Sequence, residues 1–218
     1  MIKRKADRMK GLRRKYYDIF SNFYDKIIAL HSKDRSQRLR RYLIEKSGFR
    51  PGQYLLDACT GTGSVALEAA RFSKGKGVVA GVDFSIGMLS KAVKKASGIG
   101  NVFFVLSDVG TLSFKDDTFH VVTCSHAMYE LSPQTRQAAL SQFRRVLRPG
   151  GRFIMMEHTP PSSPVIKFLY QLRILSMGSA GNREFAKDER RELSMFFKDV
   201  VLEIVPGGRS KVVYGTKD

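Results

Sequence analysis

Between residues 54 and 157 short apolar runs alternate with helical patterns about ten residues long, and few folds accept such an alternation. Strands are expected at 54–57, 77–82 ("GVVAGV"), 102–106 ("VFFVL"), 119–124 ("FHVVTC") and 152–157 ("RFIMME"). Helices are expected between them at 64–73, 86–96 and 133–147, the last closed by the turn "RPGG". Repeated strand–helix–strand units cross over right-handedly and build a parallel sheet with helices on both faces. Strands covered from both sides need no polar face, which explains why "GVVAGV" and "VFFVL" do not alternate. Beyond a helix near 187–197, "DVVLEIVPGGRSKVVYGTK" places two β-rich runs around Pro206-Gly207-Gly208 and predicts an antiparallel hairpin. The expectation is an α/β fold of seven strands, mostly parallel, in a single domain over residues 51–218.

Residues 1–50 form a different region. "MIKRKADRMKGLRRK" carries eight Lys/Arg and one Asp, and two helices follow, broken near residues 31–34. The whole chain carries 38 Lys+Arg against 20 Asp+Glu, a formal charge of +18. Such a field favours an anionic partner, either nucleic acid or an anionic membrane surface met through the basic arm. It is equally compatible with a basic proteome and no polyanion. No apolar run approaches the ~20 residues of a membrane span, and the basic start leads to Tyr17-Asp18 rather than to a secretory leader. Two cysteines, Cys59 and Cys124, do not make a metal cluster, so no metal is expected and a cytoplasmic setting is.

The first strand runs into "DACTGTGSVALEAA". Gly61-x-Gly63 lets backbone pass close to a ligand, and the helix that follows offers free N–H groups at its start. Asp83 ends the next strand, 20 residues after Gly63, where a carboxylate can accept both hydroxyls of a ribose; the alternative is a cap on the helix near Ile86. Asp108 follows the third strand. Three successive strands thus bring Asp57, Asp83 and Asp108 to the carboxyl edge of the sheet, where open α/β folds bind ligands. A pyrophosphate would be repelled there, whereas S-adenosylmethionine (SAM) is cationic and phosphate-free.

Over residues 53–158 the chain resembles the class I SAM-dependent methyltransferases, and more narrowly the ubiquinone/menaquinone-biosynthesis C-methyltransferase family. The resemblance is carried by "LLDACTGTG", "GVDFSIGML", "SDVGTLSFKDDTFHVVT" and "FRRVLRPGGRFIMME". It implies a Rossmann-like sandwich in which Asp57 and the backbone of Thr60, Gly61, Thr62 and Gly63 hold the methionine part of SAM. It further implies that Asp83 takes the ribose, Phe84 and Met88 face the adenine, and Asp108 and Val109 meet its amino edge. Ser125 stands at a further cofactor contact, and Cys59 fills a position of small residues. The product would be S-adenosylhomocysteine (SAH).

Acceptor-side candidates follow the fourth and fifth strands: His126, Tyr129 and Glu130 in "SHAMYEL", then Glu157 and His158 in "MMEH". Methyl transfer from a sulfonium needs alignment and dryness, and a base only where the acceptor must lose a proton. His126 has the titration range for that task, or else bonds locally. Tyr129 shapes the pocket or packs in the core, Glu157 positions the acceptor or braces the cofactor, and His158 is expected to face solvent. "AMYEL" differs from the "GLRN"-type segment of quinone methyltransferases, and no "NPPY"-like segment of nucleobase enzymes occurs. Phe20, Phe23, Tyr24, Ile27 and Ile28 are expected in a lid. Residues 163–177 are expected as a helix whose apolar stretch, 165–177, is either a wall for a lipophilic acceptor, a surface that meets lipid, or a core or dimer helix. These features imply methyl transfer to a small lipophilic acceptor, quinone-precursor-like or a phospholipid amine, at the inner membrane face. The alternatives are a nucleic-acid methyltransferase and a SAM-binding protein without turnover. The basic residues gather in the arm and are not interleaved with stacking aromatics, which disfavours nucleic acid.

Overall fold

A computed structural model describes residues 38–159, 189–208 and 210–218, together with residues 11, 14–18 and 21. Helix α1 (Arg38–Ser47) leads into β1 (Tyr54–Ala58), α2 (Ser64–Phe72), β2 (Val78–Asp83), α3 (Ile86–Lys95), β3 (Val102–Leu106) and β4 (Phe119–Ser125). A 3-10 turn (Met128–Glu130) precedes α4 (Pro133–Val146), β5 (Leu147–His158), α5 (Glu189–Leu193), β6 (Lys198–Ile204) and β7 (Ser210–Thr216). Residues 14–18 are helical. The expected lid side chains from Phe20 to Ile28 and the apolar helix at 165–177 lie outside the described residues.

The seven strands form one sheet in the order β3-β2-β1-β4-β5-β7-β6. Pairs β1/β2, β1/β4, β2/β3 and β4/β5 are parallel, while β7 runs antiparallel to both β5 and β6. The C-terminal hairpin is therefore present, with its second strand inserted between the first and the rest of the sheet. Consecutive residues of the central strands feed opposite cores. Leu56, Val122, Phe153 and Val213 pack under α4 and α5, and Leu55, Val121, Ile154 and Val212 pack under α1 and α2. This is the two-sided burial that the non-alternating strands require.

Three local expectations change. "VFFVL" forms the edge strand β3, so Phe103 and Leu106 are exposed rather than covered on both faces. The "RPGG" turn lies within β5 as an irregularity, because the register moves from Phe119 opposite Leu147 to Val121 opposite Arg152. It is held by Gly150 N–H donating to the Lys217 carbonyl and Lys217 N–H donating to the Gly151 carbonyl. Helix α5 ends at Leu193, before the expected 197, since Met195 N–H and Phe196 N–H bond three residues back and tighten the turn that follows. That tightening delivers Phe197 onto Phe153 in the core, their ring centroids 5.4 Å apart.

Helices α4 and α5 are joined by an ion pair whose arginine end is buried and whose Glu192 end is partly exposed. Arg136 is 1% exposed and sets both Nε and Nη2 2.7 Å from Glu192 Oε2. Removing one member of a buried pair leaves a charge without compensation. Arg136→Leu is expected to cost about 3–5 kcal/mol in urea unfolding, and adding Glu192→Leu to recover most of that loss. Equal stability of the single and double variants would show that the pair is not coupled.

Candidate functional site

The carboxyl ends of β1 and β2 are tied together by two carboxylates. Asp57, 1% exposed, accepts from the Thr60 hydroxyl at 2.5 Å and, on its other oxygen, from the Thr123 hydroxyl of β4 at 2.8 Å. Asp83, also buried, accepts from Gly61 N–H and Ser85 N–H, each at 2.9 Å. The helix-cap reading of Asp83 is thereby corrected: the Ser85 hydroxyl caps α3 by accepting from Met88 N–H, and Asp83 instead joins the two turns. Burial, first of all, pushes Asp57 up to about 6, opposed by its two hydroxyl donors and aided by the charge of Asp83. Asp83 is raised for the same first reason, with the charge of Glu130 adding to it.

Two glycines of the turn do different work. Gly63, in the left-handed region at φ +80°, is packed so closely that a Cβ would lie 2.9 Å from the Ala92 methyl and 3.0 Å from the Phe104 ring. A Cβ on Gly61 (φ +55°) would meet nothing within 4 Å among the described residues. Among the described residues, open space is left above Gly61, beside Asp83 and at the head of α2, where Gly63 supplies no side-chain cap and Asp57 reaches the Ala66 N–H. Beyond β3, Asp108 accepts from Gly110 N–H at 2.8 Å, and Ser107 N–H is held by the Asp83 carbonyl. The Val109 side chain is buried in the core, so only its backbone faces the rim. Met88 is buried and Phe84 half-buried. Thr62 is buried. Cys59 takes φ +54° next to the thiol of Cys124, which that neighbour and burial push well above its ordinary range. The open space bordered by carboxylates that repel one another fits a cationic ligand such as SAM.

The N-terminal segment covers this rim. The Tyr17 ring meets Phe84 edge-on at 5.7 Å, and its hydroxyl donates to Glu130. Asp18 accepts from the Ser85 hydroxyl at 2.6 Å and from Gly87 N–H at 3.0 Å. The approach is so close that a Cβ on Gly87 would lie 2.7 Å from the Asp18 Cα. These contacts were not legible in the sequence, where Tyr17-Asp18 appears only as the end of a basic stretch.

On the other side of β4, His126 adopts φ +52° with its N–H donated to the Met156 carbonyl at 2.7 Å. Its Nδ1 lies 3.0 Å from the Ser125 hydroxyl, and its Nε2 is buried with no hydrogen-bond partner among the described residues. Burial, then the neighbouring His158, then Arg40, hold the imidazole well below its ordinary range. His158 does not face solvent as expected. It is half-buried, with its ring 4.1 Å from that of His126 and 6.3 Å from that of Tyr129. Glu157 leaves this group: successive strand residues point to opposite faces, and its carboxyl turns inward to accept from Met128 N–H at 2.9 Å. Burial pushes Glu157 up to about 8, with Arg136 opposing and Glu189 and Glu130 adding to the shift. Glu157 thus braces the 128–130 turn that carries Tyr129 and Glu130, while the rings of His126, Tyr129 and His158 lie together.

Residues 3–195 match the ubiE/COQ5 methyltransferase family. The chain is similar to the demethylmenaquinone methyltransferase of Staphylococcus aureus (29% identical over 183 residues, 83% of this chain and 75% of that one). It is also similar to the ubiquinone/menaquinone biosynthesis C-methyltransferase UbiE of Desulfotalea psychrophila (32% over 179 residues, 80% and 70%). Among solved structures, the fold is shared with the Haloferax volcanii methyltransferase determined with the Trm112 activator. The TM-score is 0.72 at 19% identity, over 92% of this chain and 96% of that one. It is shared too with Haemonchus contortus phosphoethanolamine N-methyltransferase 2 bound to SAM, at TM-score 0.66 and 16% identity, over 82% and 52%.

Between its ordinary value of 4.5 and about 8, Glu157 is protonated in the folded chain and ionised in the unfolded one. The folded state then binds the extra proton, so stability falls as pH rises through this window, by up to about 1.4 kcal/mol per pH unit from this group. Glu157→Gln keeps the acceptor for Met128 N–H and is expected to flatten that decline, read from urea midpoints between pH 5 and 8. A variant with the wild-type slope would mean that Glu157 is ionised in the fold.

Proposed function

The chain belongs to the ubiE/COQ5 methyltransferase family, and on that premise we propose that it is a SAM-dependent enzyme that methylates a ring carbon of a lipophilic, quinone-precursor-like phenol or hydroquinone, releasing SAH. The observation that supports this acceptor class is the buried Nε2 of His126, a neutral ring nitrogen without a partner among the described residues, across β4 from the acidic rim. An aromatic carbon that gains a methyl group must give up its hydrogen, and a neutral imidazole is able to take it. An amine acceptor makes no such demand once its lone pair is free.

When bound, SAM supplies a methyl group activated by a sulfonium. The residues for holding it are the backbone of Thr60–Gly63, Asp83 for the ribose, Phe84 and Met88 for the adenine, and Asp108 with the Val109 backbone for the adenine's amino edge. Asp57 acts through its charge and through the Thr60 and Thr123 hydroxyls that it holds in place. Tyr17 and Asp18 keep water from the rim by docking on Phe84, Ser85 and Gly87. Ser125 meets His126 Nδ1, which orients the ring so that Nε2 faces the acceptor.

No helix among the described residues is long and apolar enough to cross a membrane. A lipophilic acceptor would reach the enzyme at an anionic membrane surface that attracts the basic N-terminal arm. Sedimentation with vesicles containing anionic lipid is expected to pull the chain down at low salt and release it at high salt. Failure to bind at low salt would remove the membrane from the proposal.

Asp83→Ala is expected to weaken SAH binding at least about a hundredfold by calorimetry, with a folded-state melt as control, since it removes both the ribose acceptor and the clamp on Gly61. An affinity within about tenfold of the wild type in that variant would show that the ribose sits elsewhere. His126→Ala is expected to lower kcat with a naphthohydroquinone acceptor by about a hundredfold while leaving SAH affinity unchanged. Undiminished turnover would rule out the base, and transfer of label to an amine but to no hydroquinone would overturn the acceptor class.

A further inference from the structure

We infer that Glu157 is a positioning residue of the methyl transfer: its neutral carboxyl, locked onto Met128 N–H, sets the turn that carries Tyr129 and Glu130, and turnover is lost where that carboxyl ionises. This role rests on the methyltransferase reading of the neighbouring site and adds to it a group that touches neither ligand.

Glu157 is 3% exposed and lies on the face of β5 that Phe153 and Met155 present to the core under α4 and α5. Its Oε1 accepts from Met128 N–H at 2.9 Å, while Oε2 is buried with no hydrogen-bond partner among the described residues. Met128 opens the 3-10 turn, and the two residues after it reach the site. The Tyr129 ring lies 6.3 Å from that of His158, and Glu130 accepts from the Tyr17 hydroxyl of the N-terminal segment. One hydrogen bond made in the core therefore fixes the turn whose side chains meet His158 and Tyr17.

The titratable groups around Glu157 come from every element packed on it. Arg136 belongs to α4, Glu189 and Glu192 to α5, Lys211 to β7 and Glu130 to the turn. The Cys124 thiol of β4 is kept protonated by Cys59 and by burial, and His158, next on the strand, points to the opposite face. Lys211 stands directly opposite Glu157 in the β5/β7 pairing, yet its Nζ lies 2.6 Å from Glu189 Oε2. Arg136 sets Nε and Nη2 2.7 Å from Glu192 Oε2. Each of these two cations is thus taken by a carboxylate of α5, and Glu157 is the third carboxyl of the cluster. A buried carboxyl so placed keeps its proton, in accord with the rise to about 8 that burial chiefly causes.

Ionisation puts a charge where both cations are already paired. To meet it, Arg136 has to leave Glu192 or Lys211 has to leave Glu189, since a buried charge without compensation is costly. Either exchange loosens α5 and draws the Glu157 carboxyl away from Met128 N–H. The turn then loses the bond that fixes it, and Tyr129 and Glu130 lose their places. The effect has the opposite sign to the chemistry of the acceptor. A phenol or hydroquinone becomes a better nucleophile as pH rises, so the transfer alone gives a climbing profile. A descending limb on the alkaline side is the mark of Glu157.

The test follows kcat of the full chain against pH, with SAM and a naphthohydroquinone acceptor under argon. One pH unit above the ionisation of Glu157, wild-type kcat is expected to stand about tenfold below its plateau. Glu157→Gln keeps an acceptor for Met128 N–H, cannot ionise, and is expected to remove the descending limb. Glu192→Gln releases Arg136 to meet the Glu157 carboxylate and is expected to bring the limb to lower pH. A readout without turnover is the NMR signal of the isotope-labelled Met128 methyl group, identified by Met128→Leu. It is expected to shift through the same pH range in the wild type and to stay in place in Glu157→Gln. A limb that survives Glu157→Gln, a limb that Glu192→Gln does not lower, or a Met128 signal blind to pH overturns the assignment. A wild type that methylates no hydroquinone, while its Met128 signal follows Glu157, overturns the functional reading and leaves the coupling of Glu157 to the turn in place.

Discussion

Two carboxylates with almost no access to water hold the working edge of this sheet. Asp57 fastens the turn after β1 to β4 through Thr60 and Thr123, and Asp83 fastens the same turn to the start of α3 through Gly61 and Ser85. Burying a carboxylate is costly unless its oxygens are engaged, and here each oxygen receives a donor from a different element. The consequence is a turn whose open side is shaped before any ligand arrives. A weaker network would leave Gly61 and Gly63 as a mobile pair of glycines, whereas this one makes them a fixed cradle.

The strand order then divides the site between carboxylates and imidazoles. Strands β1, β2 and β3 carry Asp57, Asp83 and Asp108 to one half of the carboxyl edge, while β4 and β5 carry His126 and His158 to the other. The division falls between β1 and β4, where the sheet reverses its order of addition and open α/β folds leave a crevice.

The alternation of strands and helices was legible from residues alone, because it depends on local hydrophobic periodicity and on glycine and proline punctuation. The acidic rim was legible too, since the end of each strand is fixed once the strand is found. The exposure of Phe103 and Leu106 was not, for their sequence is that of a buried strand and only the order of the sheet puts β3 at its edge. His158 misled for a related reason: its place beside His126 depends on the parallel pairing of β4 with β5, 33 residues apart from Ser125 to His158. Tyr17 and Asp18 stand in a stretch that looks merely basic. What selects them is their docking on Phe84, Ser85 and Gly87 at the start of α3, and no short motif records such a contact.

The place of β7 sets the order in which the sheet can be completed. Strands β1 to β5 find their parallel partners among residues 54–158, but β6 pairs with β7 alone among the described strands. During synthesis the outer edge of β5 and the whole of β6 therefore wait, with backbone groups unpaired, until residues 210–216 emerge. Insertion of that strand closes two edges at once and also stitches Lys217 to Gly150 and Gly151 within the irregular part of β5. A nascent chain stalled short of this point displays a gap the width of one strand, the kind of edge at which chains pair wrongly. The late strand acts as a clasp, and the timing of its arrival separates a chain that is still recruiting strands from one that is sealed.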